Sequence, residues 1–202
     1  MKNLTKILKL PNIALASSSP RRLQLLQSLD VNVRIIEVNH TEYIDPAWSM
    51  VEVPENLAIY KNQHARYLKR PNEILLTADT IVHLDGQILH KPRDTDHAAH
   101  ILRKLSGRWH EVITGVCLYG QDEISFSVST RVHMTHLSVE TITYYVKRYQ
   151  PMDKAGAYGI QEWLGWSHID QIHGSYSNVM GLPTAHIFNA LTRHFRQSST
   201  ES

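Results

Sequence analysis

The chain of 202 residues is 42% hydrophobic and 20% charged, which is typical of one soluble globular domain. Its formal net charge of +2 is too small for a surface that coats nucleic acid, and its single cysteine excludes an intrachain disulfide. The amino terminus lacks the apolar stretch of a secretory signal, and no segment is long enough to cross a bilayer. We therefore expect a cytoplasmic protein without a membrane or nucleic-acid partner. One domain is expected over residues 1–196 and a disordered tail over 197–202.

Short apolar runs alternate with helical patterns in the first half of the chain. This alternation indicates an α/β protein in which helices pack on a sheet. The runs and their flanking turn residues predict strands over residues 13–16, 31–38 and 74–84, and helices over 20–28 and 54–68.

A tight hairpin turn is expected at Asp85-Gly86, followed by a short strand over 87–90. The long hairpin that comes later in the chain makes the predicted sheet a mixed one. The remaining predicted elements are a helix from 94–96 to 105, antiparallel strands over 109–119 and 123–135, a helix capped by Ser138, a loop-rich region over 151–183 and a last helix from 183 towards 195.

Residues 17–22 (SSSPRR) stand between the first predicted strand and the first predicted helix. Hydroxyl and guanidinium groups meet there at a helix amino terminus, whose unpaired N–H groups and positive dipole end favour an anion. Arg21 and Arg22 oppose that dipole, a conflict that an anionic ligand would relieve, and arginine can bind phosphate through two parallel hydrogen bonds. The alternative is that Ser19 is an ordinary N-cap before Pro20 and that the arginines are solvated.

Asp79 stands within the apolar run LLTADTIV, near the middle of a predicted strand. A carboxylate in that setting must reach the strand end, bind a cation or suffer a large desolvation cost. Lys61 on the preceding helix and Lys91 after the hairpin are candidate cations. Since active-site acids in α/β sheets lie where strands open into a crevice, we interpret Asp79 as a site residue rather than a capped structural carboxylate.

Five motifs in the same order resemble the Maf family of nucleotide pyrophosphatases. They are LASSSPRR at 15–22, TADTIV at 77–82, the block over 90–116, DKAGAYGIQ at 153–161 and HGSYSNVMGLP at 173–183. The resemblance implies a mixed, elongated, twisted β-sheet with helices on both sides and two lobes flanking a cleft, similar to inosine triphosphate pyrophosphatases. It also implies a homodimer. The form of DKAGAYGIQ resembles the branch that acts on dTTP and UTP rather than the branch that acts on 7-methylguanosine triphosphate.

The resemblance assigns the triphosphate to one group of side chains. Ser19 and Arg22, with Arg21, match the phosphate-contacting loop of the family. Lys61 and Lys91 match two lysines that would neutralise the triphosphate charge.

The resemblance assigns the reacting water and the base to a second group. Asp79 matches the catalytic aspartate that activates or positions water, and Glu42 and Gln161 match an acid and an amide that line the cleft. The implied cofactor is Mg²⁺ or Mn²⁺, held by phosphates, water and either Glu42 or Asp79. The Gln161 amide is a candidate for base recognition, because it carries both a donor and an acceptor.

The sequence departs from the family pattern in three places. His90 replaces the usual glycine before Lys91, Gln150 stands where a glutamate is common, and Asn62 stands where alanine is usual. The expected activity is hydrolysis of dTTP and UTP, or of modified pyrimidine nucleotides, to the monophosphate and pyrophosphate. The alternative is a nucleotide-binding regulator of septum formation with little turnover, which the family's name and His90 motivate.

Overall fold

The computed structural model describes Leu8 and residues 10–38, 45 and 47–195. The strands are β1 (Asn12–Ala16), β2 (Val33–Ile36), β3 (Glu73–Leu84), β4 (Gln87–Leu89), β5 (Trp109–Tyr119), β6 (Glu123–Met134) and β7 (Ile169–His173). The α-helices are α1 (Pro20–Gln27), α2 (Val53–Ala65), α3 (Thr95–Leu105), α4 (Val139–Tyr149), α5 (Trp163–His168), α6 (Tyr176–Met180) and α7 (Thr184–His194). Short 3₁₀ turns occupy Arg66–Leu68, Pro151–Asp153 and Ala155–Ala157.

The strands form a sheet in the order β2-β1-β3-β5-β6-β7, and β4 pairs with β3. Strand β1 is parallel to both of its neighbours, β2 and β3, whereas β4 and β7 pair antiparallel to β3 and β6. The predicted mixed α/β class is therefore confirmed.

The contacts divide the chain into two compact units. The first comprises the described parts of Met1–Asp79, Gly115–Ser127 and Gly181–Ser202. Its parallel strand β1 is buried on both faces, since Ile13, Ala14 and Leu15 are all inaccessible to solvent.

The second unit comprises Thr80–Thr114 and Val128–Met180. Its core gathers the apolar faces of α3 and α4 with those of β3, β5 and β6, and includes Leu102, Met134 and Tyr145. The expected single domain over 1–196 stays a prediction, and the expected tail over 197–202 lies outside the described residues.

The structure differs most from the sequence-based expectation between residues 151 and 183. That region was expected to be mostly loop, yet it contains α5, β7 and α6. The two helices have 6 and 5 residues, too few to show a helical period, and β7 is an outer strand on which polar residues predominate. Strand β2 is also shorter than the predicted 31–38.

The predicted hairpin turn is confirmed, since Asp85 and Gly86 have φ values of 48° and 78°, as a tight hairpin requires. Gly107, just after α3, also has a positive φ, at 70°. Among the described residues, no helix combines the length and the hydropathy that a bilayer span requires.

Candidate active site

Asp79 and Lys61 form an ion pair within the first unit. The distance between Asp79 Oδ1 and Lys61 Nζ is 2.5 Å, and the two side chains are 15% and 11% exposed. Thr77 Oγ1, two residues earlier on β3, donates to the Ala58 carbonyl on α2 at 2.7 Å. Because residues two apart share a strand face and residues three apart share a helix face, this buried hydrogen bond sets Lys61 opposite Asp79.

Asn62 fixes the same helix at a second point. Its side chain is fully buried, and Nδ2 donates to the carbonyls of Leu75 and Cys117 at 3.3 Å each. The amide therefore ties α2 to β3 and β5, which gives the departure from the usual alanine a structural reason. Cys117 is buried, and burial raises the pKa of its thiol to about 12.

The Arg22 guanidinium is held by the protein itself. Nη1 donates to the Ala78 carbonyl at 2.8 Å and to Ser17 Oγ at 3.3 Å, while Nε donates to the Gly181 carbonyl at 3.0 Å. These contacts fix a positive charge at the peptide that immediately precedes Asp79. The serine and arginine loop and the Lys61–Asp79 pair consequently belong to one constellation in the first unit.

Ser19 occupies the N-cap position of α1 with extended backbone angles, but its side chain makes no capping hydrogen bond. Its backbone N–H instead donates to Ser17 Oγ at 3.2 Å. Ser19 is thus the N-cap residue by position, as the alternative interpretation expected, but its hydroxyl does not cap the helix. Arg21 is half-buried in the first turn of the helix.

Of the three other expected site residues, two are described by the structure. Lys91 is exposed just after β4, and Gln161 is half-buried before α5; both belong to the second unit. Gln161 Oε1 is buried and has no hydrogen-bond partner among the described residues. Glu42 lies outside the described residues.

The segment that carries Gln161 is braced by a network that sequence reasoning missed. Lys154 Nζ lies 3.1 Å from Glu162 Oε1 and 2.7 Å from Asp153 Oδ1, and Lys154 is 8% exposed. Glu162 Oε2 accepts from the Tyr145 hydroxyl, which in turn accepts from the Gly159 N–H at 3.0 Å. The sequence feature that could have predicted this network is a pair of opposite charges, Lys154 and Glu162, on either side of an uncharged segment.

The pKa values around this segment shift with burial. Burial and the neighbouring Glu162 carboxylate raise the pKa of the Tyr145 phenol, because both disfavour the phenolate. His110 Nε2 lies 2.7 Å from the Tyr158 hydroxyl, and burial lowers the pKa of His110 to about 4. His110 is therefore neutral at pH 7 and shares a hydrogen bond with Tyr158.

Among the described residues, no three histidine, cysteine or acidic side chains converge to form a metal site. Asp79 by itself suits Mg²⁺, which commonly binds one or two carboxylates and takes the rest of its shell from water and substrate phosphates.

Residues 12–194 match the family model described as Maf-like protein. The chain belongs to the Maf family. A protein named dTTP/UTP pyrophosphatase from Bacteroides thetaiotaomicron is 44% identical over 183 residues, which cover 90% of this chain and 95% of the relative. A protein of the same name from Porphyromonas gingivalis is 44% identical over 192 residues, covering 91% and 94%. Among solved structures, the Ham1 protein of Staphylococcus aureus has a TM-score of 0.44 and 13% identity, over 61% of this chain and 71% of its own.

Another departure from the Maf pattern also has a local explanation. Gln150 adopts a left-handed backbone with φ at 45° after α4, and its side-chain amide donates to the Val146 and Lys147 carbonyls. The side chain thus caps the helix end that it follows. His90 is exposed, and no contact in the described structure explains why histidine replaces the usual glycine there.

Proposed function

We propose that this Maf protein is a nucleoside triphosphate pyrophosphatase that hydrolyses dTTP and UTP to the monophosphate and pyrophosphate. The observation that carries the proposal is the Lys61–Asp79 ion pair with the Arg22 guanidinium fixed at the adjacent peptide. Relatives that are 44% identical carry the name of this activity. Phosphoryl transfer spreads negative charge over the phosphate oxygens, so a carboxylate surrounded by fixed cations suits it.

In this mechanism Asp79 positions the attacking water and accepts its proton. The Lys61 ammonium donates to Oδ1, which orients the carboxylate and directs Oδ2 to the water. Arg22 neutralises developing charge on the phosphate, and Ser19 with the loop N–H groups fixes the position of the triphosphate.

Three further roles follow from the Maf resemblance and are proposed with it. Lys91 contacts the phosphates, Gln161 reads the base with its amide, and Glu42 binds either the nucleotide or the metal. Bound Mg²⁺ or Mn²⁺ would supply charge neutralisation on the phosphate oxygens, with Asp79 or Glu42 as its protein ligand.

The proposal also covers the oligomeric state and the cellular location of the protein. We propose a homodimer, as the family resemblance implies, and a cytoplasmic location, as the single cysteine suggests. Light scattering coupled to gel filtration distinguishes a dimer from the 23.2 kDa monomer.

Pyrophosphate release from dTTP, UTP, CTP, ATP and GTP in Mg²⁺ tests the activity. We expect release with dTTP and UTP above the others, and we expect Asp79→Asn to lower kcat by about 10²- to 10⁴-fold, since a general base contributes that much. Asp85→Asn is the matched control, because Asp85 lies just past the same strand, is 64% exposed and has a backbone that asparagine tolerates. Full activity of Asp79→Asn, or no release with any nucleotide, would contradict the proposal.

The alternative, a regulator that binds nucleotides with little turnover, is not favoured. Its motivations were the family's name and His90, and His90 is an exposed residue without a described effect on the Lys61–Asp79 pair. The relatives named above are enzymes by name.

A further inference from the structure

Trp166 is the most conspicuous exposed aromatic residue of the second unit. It lies on α5 and is 73% exposed, although tryptophan usually buries most of its ring. Its indole N–H donates to the backbone carbonyl of Gln161 at 2.9 Å. The ring is therefore held in one orientation while most of its surface faces solvent.

The support beneath this ring is rigid. The Trp166 backbone N–H donates to the Glu162 carbonyl at 3.1 Å, and the Glu162 side chain is fixed by Lys154 and Tyr145. On one side, the Tyr176 ring lies with its centroid 6.2 Å from that of Trp166 and its plane tilted by 33°. Tyr176 is itself 37% exposed, so the two rings present a continuous aromatic surface.

The residue that holds the indole also carries a polar atom without a partner among the described residues. Gln161, whose carbonyl binds the indole, has its side-chain Oε1 buried and unpaired among the described residues. Buried acceptors without a donor are costly and rare, so such an atom points to a ligand that brings the donor. Uracil and thymine carry an N3–H donor on the edge where cytosine carries an acceptor.

We propose that Trp166 is a base-contacting residue that sets nucleotide affinity, with its indole face covering the planar face of a uracil or thymine whose edge Gln161 reads. The inference rests on the proposed function and deepens it. Stacking of a base on an aromatic ring is tolerant of base identity, whereas the amide discriminates by hydrogen bonding. These two roles predict that Trp166 sets the affinity for any base and that Gln161 sets the choice among bases.

The test compares UTP with tripolyphosphate, which has the phosphates but no base and which we expect to compete with UTP at the phosphate site. Stacking on an aromatic ring changes binding by about 5- to 100-fold on alanine substitution, so Trp166→Ala should raise the KM for UTP by that factor with little change in kcat. Inhibition by tripolyphosphate should not change. Trp166→Phe, which keeps a stacking ring, should restore most of the affinity. Tyr67→Ala, at an aromatic residue of the first unit that is 79% exposed, is the control and should behave as wild type.

The outcomes separate the alternatives. An unchanged KM for UTP in Trp166→Ala overturns the inference, and so does an equal loss for UTP and tripolyphosphate, since that would indicate a structural role. If Trp166→Ala does not fold, Trp166→Leu provides the same comparison with a larger apolar side chain. If the wild-type protein releases no pyrophosphate, the proposed function is wrong, but the inference about Trp166 can still be tested by binding. UTP should then quench the tryptophan fluorescence of the wild-type protein, and this quenching should be lost in Trp166→Phe; quenching that persists in Trp166→Phe overturns the inference.

Discussion

Two lysine–carboxylate pairs, one in each unit, use the same chemistry in different surroundings. The Lys61–Asp79 pair joins a helix to the middle of a strand, and the Lys154–Glu162 pair joins the two ends of a short segment. Both lysines are largely buried, at 9% and 8% exposure. The pairs differ in what else touches the carboxylate.

Glu162 is engaged through both of its oxygens, by Lys154 and by the Tyr145 hydroxyl. Asp79 has its described ion pair through Oδ1, next to the peptide where Arg22 places a further positive charge. A carboxylate that is bound through both oxygens rigidifies its segment, whereas one that is held through a single oxygen can present the other to substrate. The contrast predicts that one pair controls turnover and the other controls stability.

Replacing Lys61 should produce the largest effect, on activity. Lys61→Met removes both a phosphate-neutralising charge and the donor that orients Asp79, so kcat/KM for UTP should fall by about 10²- to 10³-fold, the loss typical of one electrostatic donor to the transition state. Steady-state pyrophosphate release checks this, with circular dichroism to show that the variant is folded. Activity within threefold of wild type would remove Lys61 from the mechanism.

Replacing Lys154 should affect stability instead. Lys154→Met leaves the Glu162 carboxylate largely buried without its cation, and breaking such a pair typically costs about 3 kcal/mol of unfolding free energy. Urea denaturation measures the loss, and kcat for UTP should stay near wild type under conditions where the variant is folded. Arg108→Ala breaks an ion pair whose side chains are 44% and 64% exposed, and as the control it should change stability by less than about 0.5 kcal/mol. A drop in kcat without a loss of stability would reverse the assignment of the two pairs.

The sequence predicts the long elements well because their apolar spacing is strong. Strand β5 has the predicted bounds of 109–119. Asp79 was expected to reach the strand end, bind a cation or suffer a desolvation cost, and the structure pairs it with Lys61. The contacts of Arg22 were not predictable, since the Gly181 carbonyl that accepts from it lies 159 residues away. Trp166 gave no sequence signal either, because its exposure depends on how the short helix α5 is placed.

The hydrogen bond between His110 and Tyr158 also holds the segment before Gln161, in addition to the contacts that Lys154 and Tyr145 make with Glu162. This hydrogen bond involves no charged group. Burial lowers the pKa of His110 to about 4 from the ordinary 6.5, so between these values the unfolded chain binds a proton that the folded protein does not. Stability therefore falls as pH decreases from about 6.5 to about 4, and it loses nothing further from this group below that range.

Between pH 7 and pH 5, this single histidine should account for about 2 kcal/mol of lost unfolding free energy. Urea denaturation of His110→Gln, which has no titrating ring, should show a pH dependence weaker by that amount. Tyr158→Phe is the matched variant: it removes the hydrogen bond but leaves the buried imidazole, so it should lower stability at pH 7 and keep the pH dependence. Equal pH dependence in wild type and His110→Gln would show that the ring protonates without unfolding. The segment that carries Gln161 would then be less rigid than its contacts indicate, and its contrast with the Lys61–Asp79 pair would weaken accordingly.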